Sequence, residues 1–164
     1  MANFWKIEGI PHKGWNLEDV IDIREDGQSV EETNYETCMM CNNERIRYVH
    51  IVSHPEVGED YRVGCICAEK MTNDYINPKQ RENQLRNKAN RRRNWLNKNW
   101  KTNHKGNLYL KIQNHFILIY QDKNTYQYKI KIGDIWGKKK FNDLESAKIA
   151  VFNGIEYLKE HNQW

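Results

Sequence analysis

All four cysteines of this 164-residue chain lie within residues 38–67 and form two close pairs. Two residues separate Cys38 from Cys41, and one residue separates Cys65 from Cys67. Two close pairs joined by the 23 residues 42–64 are typical of a tetrahedral zinc site, because each pair can cover one side of the ion. The spacing therefore predicts one structural zinc ion, with Cys38, Cys41, Cys65 and Cys67 as its ligands.

The alternatives to zinc are two disulfide bonds or four free thiols. The first residues contain no apolar run of signal-peptide length, and nowhere do about 18 apolar residues follow one another. We therefore expect a soluble, cytoplasmic protein, and a reducing compartment favours metal ligation over disulfides. His50 or His54 is an alternative ligand in place of one sulfur.

The residues around the cysteines predict a hairpin followed by a helix. Residues 46–52 alternate and are rich in β-branched side chains, residues 60–63 form the return strand, and a short helix begins after Gly64. This order of knuckle, hairpin and helix, over residues 36–76, resembles treble-clef zinc fingers. The resemblance implies a metal-stabilised fold, although that family usually supplies Cys-x2-Cys from the helix where this chain has Cys-x-Cys.

The segment before the cysteines is predicted to complete the same module. Asn16 is a plausible N-cap for a short helix over residues 17–22, and an acidic loop follows. A zinc site and one hairpin have little core of their own, so we expect Trp5, Trp15, Val20 and Ile21 to pack against them. Residues 1–76 would then form one zinc-binding module.

Charge is distributed very unevenly along the chain, whose formal net charge is +4. Residues 1–37 carry a net charge of −6, residues 78–101 carry +8, and residues 102–164 carry +4. Pro78 is suited to the first turn of a helix, and residues 77–102 are predicted to be a basic helical connector. A basic surface of this kind is typical of proteins that bind a polyanion.

The last part of the chain, residues 103–164, predicts three strands and a helix. The strands are expected at 107–113, 115–120 and 125–132, and a helix capped by Asn142 should pack an apolar stripe on the sheet. The expected fold class is therefore α+β, with a three-stranded antiparallel sheet covered by the C-terminal helix. The order of elements over residues 79–160 resembles double-stranded-RNA-binding domains, as a likeness of topology.

These features predict a zinc-binding adaptor or regulatory protein that contacts DNA or RNA and is not an enzyme. Trp95, Trp100, Tyr126 or Tyr128 could stack on unpaired bases, with core packing as the alternative. The cations expected to meet phosphates are Arg86, Lys88, Arg91, Arg92, Arg93, Lys98, Lys138, Lys139 and Lys140.

Two other functions are open at this stage. The acidic residues 25–36 could dock a basic protein partner, as in an interaction or inhibitor module of phage-like origin. His50 and His54 on the hairpin could instead belong to a metal nuclease of the His-Asn-His type. The helix after Cys67 offers no second histidine for such a site.

Overall fold

The computed structural model describes residues 3–164 and shows an α+β protein with two sheets and three α-helices, which confirms the predicted fold class. The chain divides into two units, of which the first ends at Lys88 and the second comprises Ala89–Trp164. Each unit has its own sheet and its own cluster of buried apolar side chains. Among the described residues, no helix has the length and apolar character that a membrane span requires.

The first unit is built on an antiparallel sheet with strand order β1-β2-β3. Its elements are a short 3-10 helix at Phe4–Lys6, β1 at Asn16–Asp22, β2 at Tyr48–Ser53, β3 at Tyr61–Val63 and helix α1 at Cys65–Thr72. The hairpin predicted between the cysteine pairs is confirmed, with His50 paired to Val63 and Val52 to Tyr61. Helix α1 follows β3 with Gly64 as its N-cap.

The prediction of a helix over residues 17–22 is wrong, because these residues belong to strand β1. They pair antiparallel with β2, from Asn16 opposite Ser53 to Asp22 opposite Tyr48, with an irregularity between Leu17 and Asp19. The free edge of β2 offers backbone partners to the whole segment, and this long-range pairing outweighs the local capping signal at Asn16.

The core of the first unit includes two of the cysteines. Cys38 and Met40 are fully buried, and Met71 from α1 is fully buried against them. Trp15 belongs to this core, and Trp5 packs against it, as predicted. The cysteine-bearing knuckle is therefore part of the core of this unit.

Helix α2 comprises Asn77–Trp95. Its start agrees with the prediction made from Pro78, and its end lies before the end of the predicted connector, residues 77–102. Asp74 caps its start by accepting hydrogen bonds from the backbone N–H groups of Ile76 and Asn77, both at 2.9 Å. Residues 77–88 of this helix belong to the first unit and residues 89–95 to the second. The chain leaves the helix because Lys101 pairs with Tyr109 at the edge of the second sheet.

The second unit contains a five-stranded antiparallel sheet in which sequential strands are neighbours. The strands are β4 at Lys101–Thr102, β5 at Leu108–Ile112, β6 at His115–Gln121, β7 at Tyr128–Ile132 and β8 at Ile135–Trp136, and helix α3 follows at Leu144–Glu160. The three longer strands were predicted. The two edge strands were missed, because two residues are too few to show an alternating pattern.

Helix α3 packs on one face of this sheet through β6 and β7. Ile117 and Ile119 from β6 meet Val151 and Ile155 from the helix in one buried cluster. The N-cap is Asp143, whose carboxylate accepts from the Ser146 N–H at 2.7 Å, so the predicted cap at Asn142 is one residue too early.

We expect truncation of Ile117 to destabilise the second unit strongly. The side chain is completely buried beneath α3, so Ile117→Ala leaves a cavity and should lower the free energy of unfolding by about 2 to 5 kcal/mol. Urea denaturation measures this change. Ile135→Ala is the matched control, because Ile135 is 52 % exposed and its truncation should cost little. Equal losses for the two variants would contradict the packing described here.

Candidate metal centre

Three sulfur atoms converge in the first unit. The Sγ atoms of Cys38, Cys41 and Cys67 all lie within 4.8 Å of one another, so these three residues could hold a metal ion. Cys38 is fully buried, Cys67 is 5 % exposed, and Cys41 is the most exposed of the three. The structure thus brings together three of the four cysteines predicted to bind one ion.

A tight knuckle positions the first pair. The Cys38 N–H donates to the carbonyl of Asn43 at 2.8 Å, and the Asn42 N–H donates to the carbonyl of Cys38 at 2.9 Å. Asn42 adopts a left-handed backbone conformation with φ of 63°, which asparagine tolerates better than most residues. This turn reverses the chain within four residues and turns both sulfurs of the pair to one side.

Two N–H groups point at the sulfurs and stabilise negative charge on them. The indole Nε1–H of Trp5 donates to Cys67 Sγ at 3.3 Å, and the backbone N–H of Gly64 donates to Cys38 Sγ at 3.5 Å. Hydrogen bonds to a sulfur favour its thiolate form, which is the form that binds metals. Sequence reasoning predicted packing for Trp5 and missed this donor role, for which the sequence contains no signal.

The first and last cysteines of the group are joined by a side-chain hydrogen bond. The pKa of the Cys38 thiol is lowered to about 5, mainly by the hydrogen bond from Cys67 and also by backbone N–H groups, including that of Gly64, against the opposing effect of burial. The same contact with Cys38 raises the pKa of the Cys67 thiol, with burial as the second cause. A bound cation would replace the proton of this hydrogen bond, because thiols lose their protons when they ligate a metal.

Cys65 points away from this group. Helix α1 begins at Cys65, so Cys65 and Cys67 are two residues apart on a helix and their side chains are separated by about 200° around its axis. Cys65 instead lies within 4.8 Å of His50 and Glu82, counted between the possible ligand atoms, and these three form a second group that could hold a metal. Burial is the main cause that raises the pKa of the Cys65 thiol to about 12, and Glu82 is the next.

His50, a candidate nuclease residue from the sequence, is fully buried. Its Nδ1 lies 3.3 Å from the carbonyl oxygen of Tyr48, and its Nε2 lies 3.2 Å from that of Pro78 and 3.6 Å from Glu82 Oε2. A nuclease histidine must reach a phosphodiester, and a ring enclosed in this way does not present a nitrogen to solvent.

His54 also has local partners. Its Nε2 lies 3.1 Å from the carbonyl of Lys13, and its Nδ1 accepts from the backbone N–H of Glu56 at 3.1 Å. These contacts are those of a histidine that stabilises a turn.

The three converging cysteines, together with Cys65 and Glu82 from the second group, line one open cavity of about 660 Å³ in the first unit. Arg86 lines the same cavity as the four cysteines and Glu82. Arg86 forms an ion pair with Glu82 at 2.6 Å, which balances the carboxylate next to Cys65. The cavity therefore opens to solvent beside the partly exposed Cys41 and Cys65, whereas Cys38 is fully buried.

The cations predicted to meet phosphates divide between the two units, with Arg86 and Lys88 in the first and the others in the second. Several contact the fold itself: Arg91 pairs with Glu156 at 3.2 Å, and Arg92 donates to Asn153 at 2.7 Å. Their side chains remain accessible in part, since that of Arg91 is 48 % exposed.

The three lysines at 138–140 are all exposed. They lie between Gly137, whose N–H donates to the carbonyl of Ile130 at 2.9 Å, and Phe141, which pairs with Tyr128. The segment that follows the short edge strand β8 therefore continues alongside β7, and the three lysines lie at that side of the second sheet.

Most of the aromatic side chains proposed to stack on bases are used in packing. Trp95 is 5 % exposed and its Nε1–H donates to the carbonyl of Lys148 at 2.6 Å. Trp100 and Tyr128 pack against the same core, whereas Tyr126 is 71 % exposed in the turn after β6.

The chain matches no protein-family model, no curated protein and no solved structure in the comparisons with known proteins. The site is thus described by its own geometry.

We expect Cys67→Ser and Cys41→Ser to lose bound metal, because each removes one of three converging thiolates. Metal per chain, measured by elemental analysis after gel filtration, should fall to a small fraction of the unmodified protein's value. Cobalt(II) loading gives a second readout, since the intensity of its thiolate charge-transfer band should fall as well.

Cys65→Ser is the matched control for these variants. Cys65 lies two residues from Cys67 on the same helix but outside the three-sulfur group, so its replacement should leave the metal bound to Cys38, Cys41 and Cys67 and its thiolate charge-transfer band in place. Metal loss by Cys65→Ser as large as that by Cys67→Ser would make Cys65 a ligand and contradict the three-sulfur centre.

Proposed function

We propose that this is a zinc-binding protein that contacts nucleic acid as a non-enzymatic adaptor. The observation that carries the proposal is that the converging sulfur atoms lie in one unit and the net positive charge lies in the other. The first unit contains the converging sulfur atoms and has 11 basic and 16 acidic residues, for a net charge of −5. The second has 15 basic and 6 acidic residues, for a net charge of +9.

The chemistry of the donor set supports zinc as the metal. Zinc binds thiolates in tetrahedral geometry, and soft sulfur ligands favour it over magnesium or calcium, which prefer oxygen. The sulfurs of Cys38 and Cys67 lie in the core of the first unit, and the ion would join the knuckle to helix α1. A metal in this position contributes folding free energy directly.

The charge of the second unit supports nucleic acid as the partner. Fifteen cations concentrated on 76 residues create a positive potential that attracts polyanions, and phosphate backbones are the commonest of these in cells. The exposed lysines at 138–140 are the first phosphate contacts in this proposal. The partly paired arginines of α2 are second contacts, because a phosphate must compete there with Glu156 or Asn153.

Exposed acids in the first unit favour a protein partner as the second candidate function. Glu25, Glu31 and Glu32 are exposed in the loop between β1 and the knuckle. A basic protein docked on this loop would be repelled by the second unit and attracted by the first. Binding that depends on these acids and is insensitive to the lysines at 138–140 would support this candidate.

We expect the lysines at 138–140 to determine the salt dependence of nucleic-acid binding. Each phosphate contact to a single strand contributes about 0.7 to the slope of log affinity against log salt concentration. Replacement of all three by glutamine should therefore reduce the slope by about 2. Fluorescence anisotropy of labelled oligonucleotides at several salt concentrations measures it.

Lys70→Gln is the control for this experiment, because Lys70 is an exposed cation at the end of α1 in the first unit. Its replacement should leave the slope unchanged. An unmodified protein whose affinity is the same at low and high salt, or which binds no oligonucleotide, would overturn the nucleic-acid proposal.

We also expect metal removal to loosen the first unit and spare the second. A chelator should increase amide hydrogen exchange in β2, β3 and α1, because the ion would no longer join the cysteine knuckle to α1, which packs on β2. Exchange in β5, β6, β7 and α3 should stay the same and serves as the internal control. Unchanged exchange in both units would show that the metal does not stabilise the fold.

A further inference from the structure

The sheet of the second unit has one face covered by helix α3 and a second face, which we call the open face. Ile117, Ile119, Ile130 and Ile132 lie on the covered face and are buried against the helix. Side chains alternate between the faces of a strand, so the residues between these isoleucines lie on the open face. Its aromatic side chains are Tyr109, Phe116, Tyr120 and Trp136.

Two aromatic side chains of the open face are unusually accessible. Phe116 is 47 % exposed and Trp136 is 50 % exposed. The solvent-facing side of an antiparallel sheet normally carries polar residues, because exposed aromatic rings gain nothing from water. The rings of Tyr109 and Phe116 stack with their centroids 5.3 Å apart, which orders part of this surface before any ligand binds.

The strand register places lysines between these rings. Tyr109 is paired with Leu118, Leu118 with Lys131, and Lys131 with Trp136, so the four residues form one row across the sheet. Neighbouring strands are about 4.8 Å apart, which puts the two ends of the row about 14 Å from each other. The ammonium group of Lys131 lies over the Trp136 ring at 5.5 Å from its centroid.

The charge of the open face is uniformly positive. None of the residues in the five described strands is aspartate or glutamate. Lys111 and Lys129 are paired across the strands with Phe116 and Tyr120, so each lysine has an aromatic neighbour. The nearest acids along the chain are Asp122 in the turn after β6 and Asp134 in the turn before β8. The pKa of Asp122 is lowered mainly by backbone hydrogen bonds from Asn124 and Thr125, and to a smaller extent by Lys140 and Lys129.

We propose that the open face binds single-stranded nucleic acid, with bases stacked on Phe116 and Trp136 and phosphates held by Lys111, Lys129 and Lys131. This inference rests on the proposed function and assigns its ligand. Every base has a flat π face, so aromatic rings bind unpaired bases of any sequence, and sheets with exposed rings accommodate two or three of them. Bases in a duplex are stacked on each other and cannot use these rings. The lysines at 138–140, beside β7, extend the positive surface for the strand.

The test is the affinity of the full zinc-loaded chain for labelled oligonucleotides of about 12 nucleotides, measured by fluorescence anisotropy. The probes are oligo(dT), oligo(U) and a duplex of the same length. Phe116→Ala and Trp136→Ala should each weaken single-strand binding about tenfold or more. Both side chains are half exposed, so the variants should keep the fold, which circular dichroism checks.

Tyr157→Ala is the matched control, because Tyr157 is 55 % exposed on α3, which covers the other face of the same sheet. Its affinity should equal that of the unmodified protein. Binding of oligo(dT) and oligo(U) shows whether DNA, RNA or both are ligands of the same face.

Different experimental results would overturn this proposal and the proposed function. Single-strand binding that Phe116→Ala and Trp136→Ala leave unchanged would overturn the open-face assignment and leave the proposed function standing. Duplex binding as tight as single-strand binding would do the same. The absence of binding to all three probes would overturn both.

Discussion

The convergence of three sulfur atoms is the constraint on which the first unit depends. Cys38, Cys41 and Cys67 bring their sulfurs within 4.8 Å of one another, and two of the three lie in the core. Thiolates this close repel one another, and thiols would bury polar hydrogens in a small space. One cation resolves both costs, and the hydrogen bonds from Trp5 and Gly64 to the sulfurs fit a site built for negative charge.

The second unit depends on a different arrangement, in which one face of a sheet is used for folding and the other is left free. Helix α3 covers the isoleucines of β6 and β7, and this packing is sufficient to form a core. The opposite face can then carry exposed rings and lysines without loss of the fold. The exposed lysines at 138–140 lie at one side of the same sheet, so they add to the positive charge that Lys111, Lys129 and Lys131 give to the open face.

Sequence patterns predicted the elements that are long or locally encoded, such as the hairpin of β2 and β3 and the stripe of α3. They failed where long-range pairing decides the structure. A helix was predicted over residues 17–22, but these residues belong to strand β1, which pairs with the edge of β2. The cysteine cluster was predicted from spacing, whereas the separation of Cys65 depends on the residue at which α1 begins. The open face was missed because it follows from strand register, and alternation alone does not show which rings and lysines lie side by side.

The most direct test of the metal centre is native mass spectrometry of the intact chain, purified without added metal. We expect one zinc ion per chain, with all four cysteines reduced. The isotopically resolved mass distinguishes reduced cysteines from disulfides, because each disulfide removes two hydrogen atoms. A metal-free chain, or one whose mass shows two disulfide bonds, would contradict the account.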